Sequence, residues 1–153
     1  TLFRSYWIGN KTINAFSKEA DGRLPKGELY NIVMNECGFG DPYELVSYVN
    51  ENLKFKREEI AKFSLICSKA AEKNDKVAIS IFNDAGKEIA ELINLLLLDF
   101  KGDNIPVSYI GGVFKSEELI KTPIIKYMNK KGRLKAPLYT PEYGAYLYGI
   151  EEK

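Results

Sequence analysis

The residues best placed to do chemistry form a run of ten, Val107-Ser108-Tyr109-Ile110-Gly111-Gly112-Val113-Phe114-Lys115-Ser116. A β-branched and aromatic segment that ends in two glycines predicts a buried strand over 107–110, a tight turn, and a helix capped by Ser116. Without Cβ atoms at Gly111 and Gly112, a ligand can approach the backbone. The free N–H groups that open the next helix would point at it. Ligands of α/β sheets sit at the carboxyl ends of strands, where this pair falls. The chemistry is therefore nucleotide or phosphate binding; the competing reading is a turn that needs glycine only for its positive φ. The run matches neither G-x-x-x-x-G-K-[ST] nor G-x-G-x-x-G, so the mechanisms tied to those loops have no support.

The sequence holds no His. That removes the commonest general base, the Ser-His-Asp and Cys-His arrangements, and zinc sites that need imidazole. Carboxylates, Lys, Tyr, backbone amides or a bound cation remain. Cys37 and Cys67 lack C-x-x-C spacing and read as buried thiols of a reducing compartment. Asp41 has the setting of an N-cap, with Pro42 at the first helical position and Glu44 completing a capping box, and Asp75 recaps the chain after Asn74. The basic run Lys126, Lys130, Lys131, Arg133, Lys135 reads as a solvated helix end. Tyr139, Tyr143, Tyr146 and Tyr148 read as core and interface packing. No catalytic residue and no metal-ligand set emerges.

These groups must be held by a chain of 153 residues, the size of one compact domain with a real core. With 22 Lys+Arg against 21 Asp+Glu, the net charge of +1 gives no electrostatic footprint for nucleic acid. No stretch reaches the roughly 18 apolar residues that cross a bilayer, and no signal peptide opens the chain. Helical spacing predicts helices over 6–20, 29–37, 41–52 and 56–73. A main core helix follows over 76–100, apolar nearly all round at Leu95-Leu96-Leu97-Leu98 and so expected to be covered on most sides. The period then changes. After the strand at 107–110, a helix from Ser116 ends at Gly132, Leu134–Tyr139 is a second strand weakened by Pro137, and Thr140-Pro141-Glu142 opens a last short helix through Tyr148. This βαβα tail would hold its two strands parallel. Two strands make a poor sheet, so they need neighbours that the chain does not encode.

Five features in this order, Tyr6-Trp7-Ile8-Gly9, Asp41-Pro42-x-Glu44-Leu45, Ala70-Ala71 before Asn74-Asp75, the Ile110–Ser116 turn, and Pro141-x-Tyr143-Gly144-Ala145, resemble the C-terminal half of the BadF/BadG/BcrA/BcrD ATPase family. That family includes N-acetylglucosamine kinases and belongs to the actin-like ATPases. The resemblance implies an α/β, ribonuclease H-like C-terminal lobe, truncated and helix-rich, with a helical subdomain over 6–73 and the long core helix plus βαβα tail over 74–150. It assigns Gly111 and Gly112 to close backbone contact with ATP, Ser116 to a hydroxyl contact near the base, and Ala70 to a small position facing the nucleotide, though plain helix packing also explains Ala70. Members carry a Gly-Asp-Glu-Gly-Ser-Gly segment before Tyr-Trp-Ile-Gly; here Phe3-Arg4-Ser5 stands instead, and residues 1–5 read as a non-native leader. The family's phosphate loop and catalytic Asp would lie upstream, so the fragment alone is expected to be inactive. The expected function is that of a cytoplasmic ATP-dependent kinase of N-acetylglucosamine or a related amino sugar, using Mg²⁺ and a missing N-terminal lobe, with no membrane or nucleic-acid partner and with room for a homodimer. The alternatives are the activator ATPase of a 2-hydroxyacyl-CoA dehydratase, which carries an iron–sulfur cluster, and a non-catalytic helical interaction module.

Overall fold

The computed structural model describes residues 2–151. Its first helix, α1 (Leu2–Ala20), begins four residues before the expected start at Tyr6. Thr1 of the expected leader lies outside the described residues. Then come α2 (Glu28–Cys37), a short α3 (Glu44–Ser47) that runs on as a π-helical turn (Tyr48–Leu53), α4 (Arg57–Glu72) and α5 (Lys76–Leu96). After a 3₁₀ turn (Leu97–Asp99) follow β1 (Ile105–Ser108), a second 3₁₀ turn (Gly112–Ser116), α6 (Glu118–Tyr127), β2 (Gly132–Lys135) and α7 (Pro141–Glu151). The result is a helix-rich α/β fold with a two-stranded parallel sheet, Ile105 opposite Gly132 and Ser108 opposite Lys135.

Glycines set how closely the helices pack. A Cβ at Gly9 of α1 would fall 1.9 Å from the Ile60 carbonyl oxygen, so α4 can cross α1 only where no side chain stands. The two helices run in the same direction, since Arg57 lies over the Tyr6 ring three residues before the Gly9–Ile60 crossing. Gly86, midway along α5, meets Pro123 of α6 in the same way: a Cβ there would stand 2.5 Å from the Pro123 Cγ. Pro123 is thus tolerated inside α6 and packs there as a buried ring. Around these crossings Ile8, Phe16, Leu29, Val33, Cys67, Phe82, Ile120 and Ile124 are buried in one core. Thr12 is buried at no polar cost because its hydroxyl donates to the Ile8 carbonyl at 2.8 Å.

Helix ends explain where the elements stop. Asp75 caps α5 by accepting from the Val77 and Ala78 amides at 2.9 Å, and its other oxygen accepts from Leu29 N at 2.9 Å. One carboxylate therefore serves the starts of two helices, which matters because Gly27, the N-cap of α2, has no side chain to offer. The expected cap at Asp41 is corrected: Tyr43 N donates to the Asp41 carboxylate and Asp41 N to the Glu44 carboxylate, but these bonds close a turn ahead of the helix, and α3 starts at Glu44 with Tyr43 at its N-cap and no side-chain cap. Gly38 closes α2 in the left-handed region at φ 70.

Several expectations are corrected. β1 covers Ile105–Ser108 and alternates between half-buried and exposed residues where a buried strand over 107–110 was expected; it stops before Tyr109, where the chain leaves the ladder to form the glycine turn. Gly132 opens β2 and does not end the preceding helix; a Cβ there would press on Leu97 at 2.9 Å. Of the leucine run only Leu97 is buried, whereas Leu95, Leu96 and Leu98 are more than half exposed (62%, 64% and 77%), so this end of α5 is not covered by the described residues. Tyr139, Tyr143, Tyr146 and Tyr148 are likewise exposed, the first three in tilted ring contact with one another, and do not form core. The cysteines are free thiols as expected, Cys67 buried and Cys37 half-buried. Burial pushes them up to about 12 and about 11 respectively.

Candidate ATP site at the glycine turn

The turn after β1 is built by two glycines with different reasons to be glycine. Gly111 stands at φ 124, ψ 170, a conformation open in practice to glycine alone. It starts the 3₁₀ turn, in which Phe114 N donates to Gly111 O and Glu117 N to Phe114 O. Gly112 has no positive φ and is exposed. Among the described residues, a Cβ there would meet only the Ser5 Oγ, at an ordinary 3.9 Å. Neither backbone nor packing requires glycine at 112. The open face over Gly112 is the one feature of the turn that structure alone does not explain, and a ligand lying against the backbone would explain it.

The turn is clamped from both sides. Tyr109 before it and Phe114 within it stack at 4.4 Å and 26°. Lys121 of α6 lies over the Tyr109 ring at 5.4 Å, and the Tyr109 hydroxyl holds the ammonium above its ordinary value. Across the gap stands the first turn of α1, with Ser5 facing Gly112 and Tyr6 under the Arg57 guanidinium at 5.5 Å. The site is therefore a rigid turn facing a helix start, with aromatic and basic groups close by.

The sequence-derived residues do not all meet here. Gly111, Gly112 and Ser116 share the turn. Ser116 does not cap α6, a second correction to the expected strand–turn–helix layout: α6 starts at Glu118 without a side-chain cap, because the 3₁₀ turn is interposed and Glu117 takes φ 33. Ser116 thus keeps a half-buried hydroxyl that serves no helix amide. Ala70 is fully buried in the last turn of α4, its carbonyl accepting from Lys73 N and Asp75 N. It lies 13 residues beyond Arg57, about 20 Å along the helix from the end that borders α1's first turn. The structure does not bring it to the turn. The close approach of Pro123 to Gly86 was not read from the sequence, where a lone glycine inside an apolar helix was the available signal.

The model of the BadF/BadG/BcrA/BcrD ATPase family matches residues 3–149, which include every residue of this site. The chain belongs to the BadF/BadG/BcrA/BcrD ATPase family. No curated protein matches it at significant similarity. At Gly112 the chain presents an exposed stretch of backbone that carries no side chain. Among the described residues no three His, Cys, Asp or Glu side chains gather closely enough to hold a metal ion. Among them, too, no helix is long and apolar enough to cross a membrane.

Proposed function

We propose that this chain is the nucleotide-binding, ribonuclease H-like C-terminal lobe of a cytoplasmic ATP-dependent kinase acting on N-acetylglucosamine or a related amino sugar. Family membership over residues 3–149 supports ATP use. The observation that carries the site is Gly112, exposed and free of any backbone need for glycine. In this reading Gly111 shapes the turn, Gly112 admits the nucleotide to the backbone, and Ser116 offers its hydroxyl. Ala70 stays in the core. Phosphoryl transfer is positioning plus charge stabilisation. The chain's part is to hold the nucleotide on a turn stiffened by the Tyr109–Phe114 stack. In this reading the catalytic carboxylate and the Mg²⁺ environment would come from an upstream lobe. A buried Cys67 and a half-buried Cys37, both with raised pKa, make poor cluster ligands, which weighs against the activator ATPase.

The test uses the longest reading frame that contains these 153 residues. ADP should form from Mg·ATP when N-acetylglucosamine is added, with one sugar phosphate per ADP. ATP hydrolysis unaffected by any amino sugar and accompanied by an iron-dependent absorption band would overturn the kinase reading in favour of the activator.

A further inference from the structure

A groove of about 380 Å³ runs between α1 and α5, and none of its walls comes from the glycine turn. Its charged walls are Lys11 and Lys18 from α1 and Lys76 and Asp84 from α5, with the polar Asn14 and Ser80 between them. Three ammonium groups against one carboxylate leave two positive charges in excess, in a chain whose whole net charge is +1. Among the described residues the ion pairs are Arg23–Asp21, Lys62–Glu59, Lys69–Glu36 and Lys73–Glu28, so none of the three groove lysines is held in a close ion pair. Asp21, three residues beyond Lys18 and within reach of its charge, is gripped by Arg23 at 2.6 Å. Lys11 is oriented by the Trp7 ring, 5.3 Å beneath its ammonium. Like charges drawn to one groove and left unpaired repel one another, and an anion between them relieves that repulsion.

We infer that the groove between α1 and α5 binds the phosphate group of a small phosphorylated molecule. A phosphate monoester carries about −1.5 to −2 at pH 7, which matches the excess charge of the walls. Lysines bind it as point charges, the Asn14 amide and Ser80 hydroxyl add neutral donors, and the apolar floor of Val77 and Ile81 accepts the body of the ligand. The volume suffices for a phosphate with a hexose-sized body. The site is independent of the glycine turn and does not rest on the kinase reading.

Titration of the isotope-labelled protein, as the longest reading frame that contains these 153 residues, with glucose 6-phosphate, followed by NMR, tests this, with inorganic phosphate and glucose as separate arms. Saturable shifts are expected at Lys11, Lys18, Lys76, Asn14 and Ser80. Each of Lys11→Gln, Lys18→Gln and Lys76→Gln should weaken binding about fivefold, the worth of one charge pair near a protein surface, while Lys126→Gln should leave it unchanged. Binding should weaken at high salt and as pH falls through about 6, where the phosphate loses charge. Absence of saturation overturns the site. Equal loss in Lys126→Gln shows diffuse attraction and also overturns it. Inorganic phosphate binding as tightly as the ester overturns the assignment to a phosphorylated molecule.

Discussion

Replacing Gly112 by alanine separates a nucleotide-binding turn from a merely structural one. At Gly112 the backbone has no positive φ, and a Cβ would lie 3.9 Å from the Ser5 Oγ, which is ordinary contact. Folding should therefore lose nothing, and the stiffer unfolded chain should add about 0.4–1 kcal/mol of stability. Gly111→Ala is the paired control: φ 124 forces alanine into a glycine-only region at a cost of about 1–3 kcal/mol, or roughly 2–12 °C in melting temperature for a chain of this size. Binding should reverse the order of harm per unit of stability. If the adenosine part of ATP lies against Gly112, one methyl group at van der Waals distance should lower ATP affinity at least about tenfold, or 1.4 kcal/mol. Thermal melts of both variants beside calorimetric titration with Mg·ATP, in the longest reading frame, give both numbers. The reasoning fails if Gly112→Ala melts as low as Gly111→Ala, or if it binds ATP as tightly as the parent.

Three further outcomes follow from the packing. Gly9→Ala places a methyl group 1.9 Å from the Ile60 carbonyl oxygen, where backbone must move, so it should cost about 3 kcal/mol by urea denaturation; a loss below 0.5 kcal/mol contradicts the α1–α4 crossing. Glu19 is fully buried with one oxygen lacking a donor, and burial first, then the nearby Asp75 charge, raise its pKa above 4.5 despite the Gly27 and Tyr30 amides. A raised folded pKa means that its contribution is fully present at low pH and is lost as pH rises through the folded value. Stability should then fall as pH climbs above 4.5, and Glu19→Gln should flatten that fall; parallel pH profiles contradict it. Asp75→Ala removes the acceptor of three amides at two helix starts and should cost about 2–3 kcal/mol, with faster hydrogen exchange at Leu29, Val77 and Ala78 together. Faster exchange at Val77 and Ala78 alone would show that Asp75 does not serve α2.

Local chemistry was legible in the sequence wherever a residue acts within its own element. Asp75 caps α5 as its position dictates, Asp41 and Glu44 bond each other locally as their spacing suggests, and the change of period after Phe100 marks the two parallel strands. What was not legible depends on contacts across the chain. The leucines at the end of α5 were expected to be covered because apolar residues usually are, yet only a partner element can cover them and the described chain supplies it for Leu97 alone. Ser116 looked like a helix cap because a hydroxyl after a glycine turn usually is one; the strained Glu117 and the interposed 3₁₀ turn are tertiary outcomes. The site divides in the same way. Its glycines can be read from spacing, whereas Ser5 and the Arg57–Tyr6 pair reach the turn only through helix packing.

The central claim, that the glycine turn holds ATP, is tested most directly by amide hydrogen exchange with and without Mg·ATP in the longest reading frame. Slower exchange confined to Gly111–Ser116 and the first turn of α1 is the predicted result. ATP binding that leaves those amides exchanging at their free rate would contradict it.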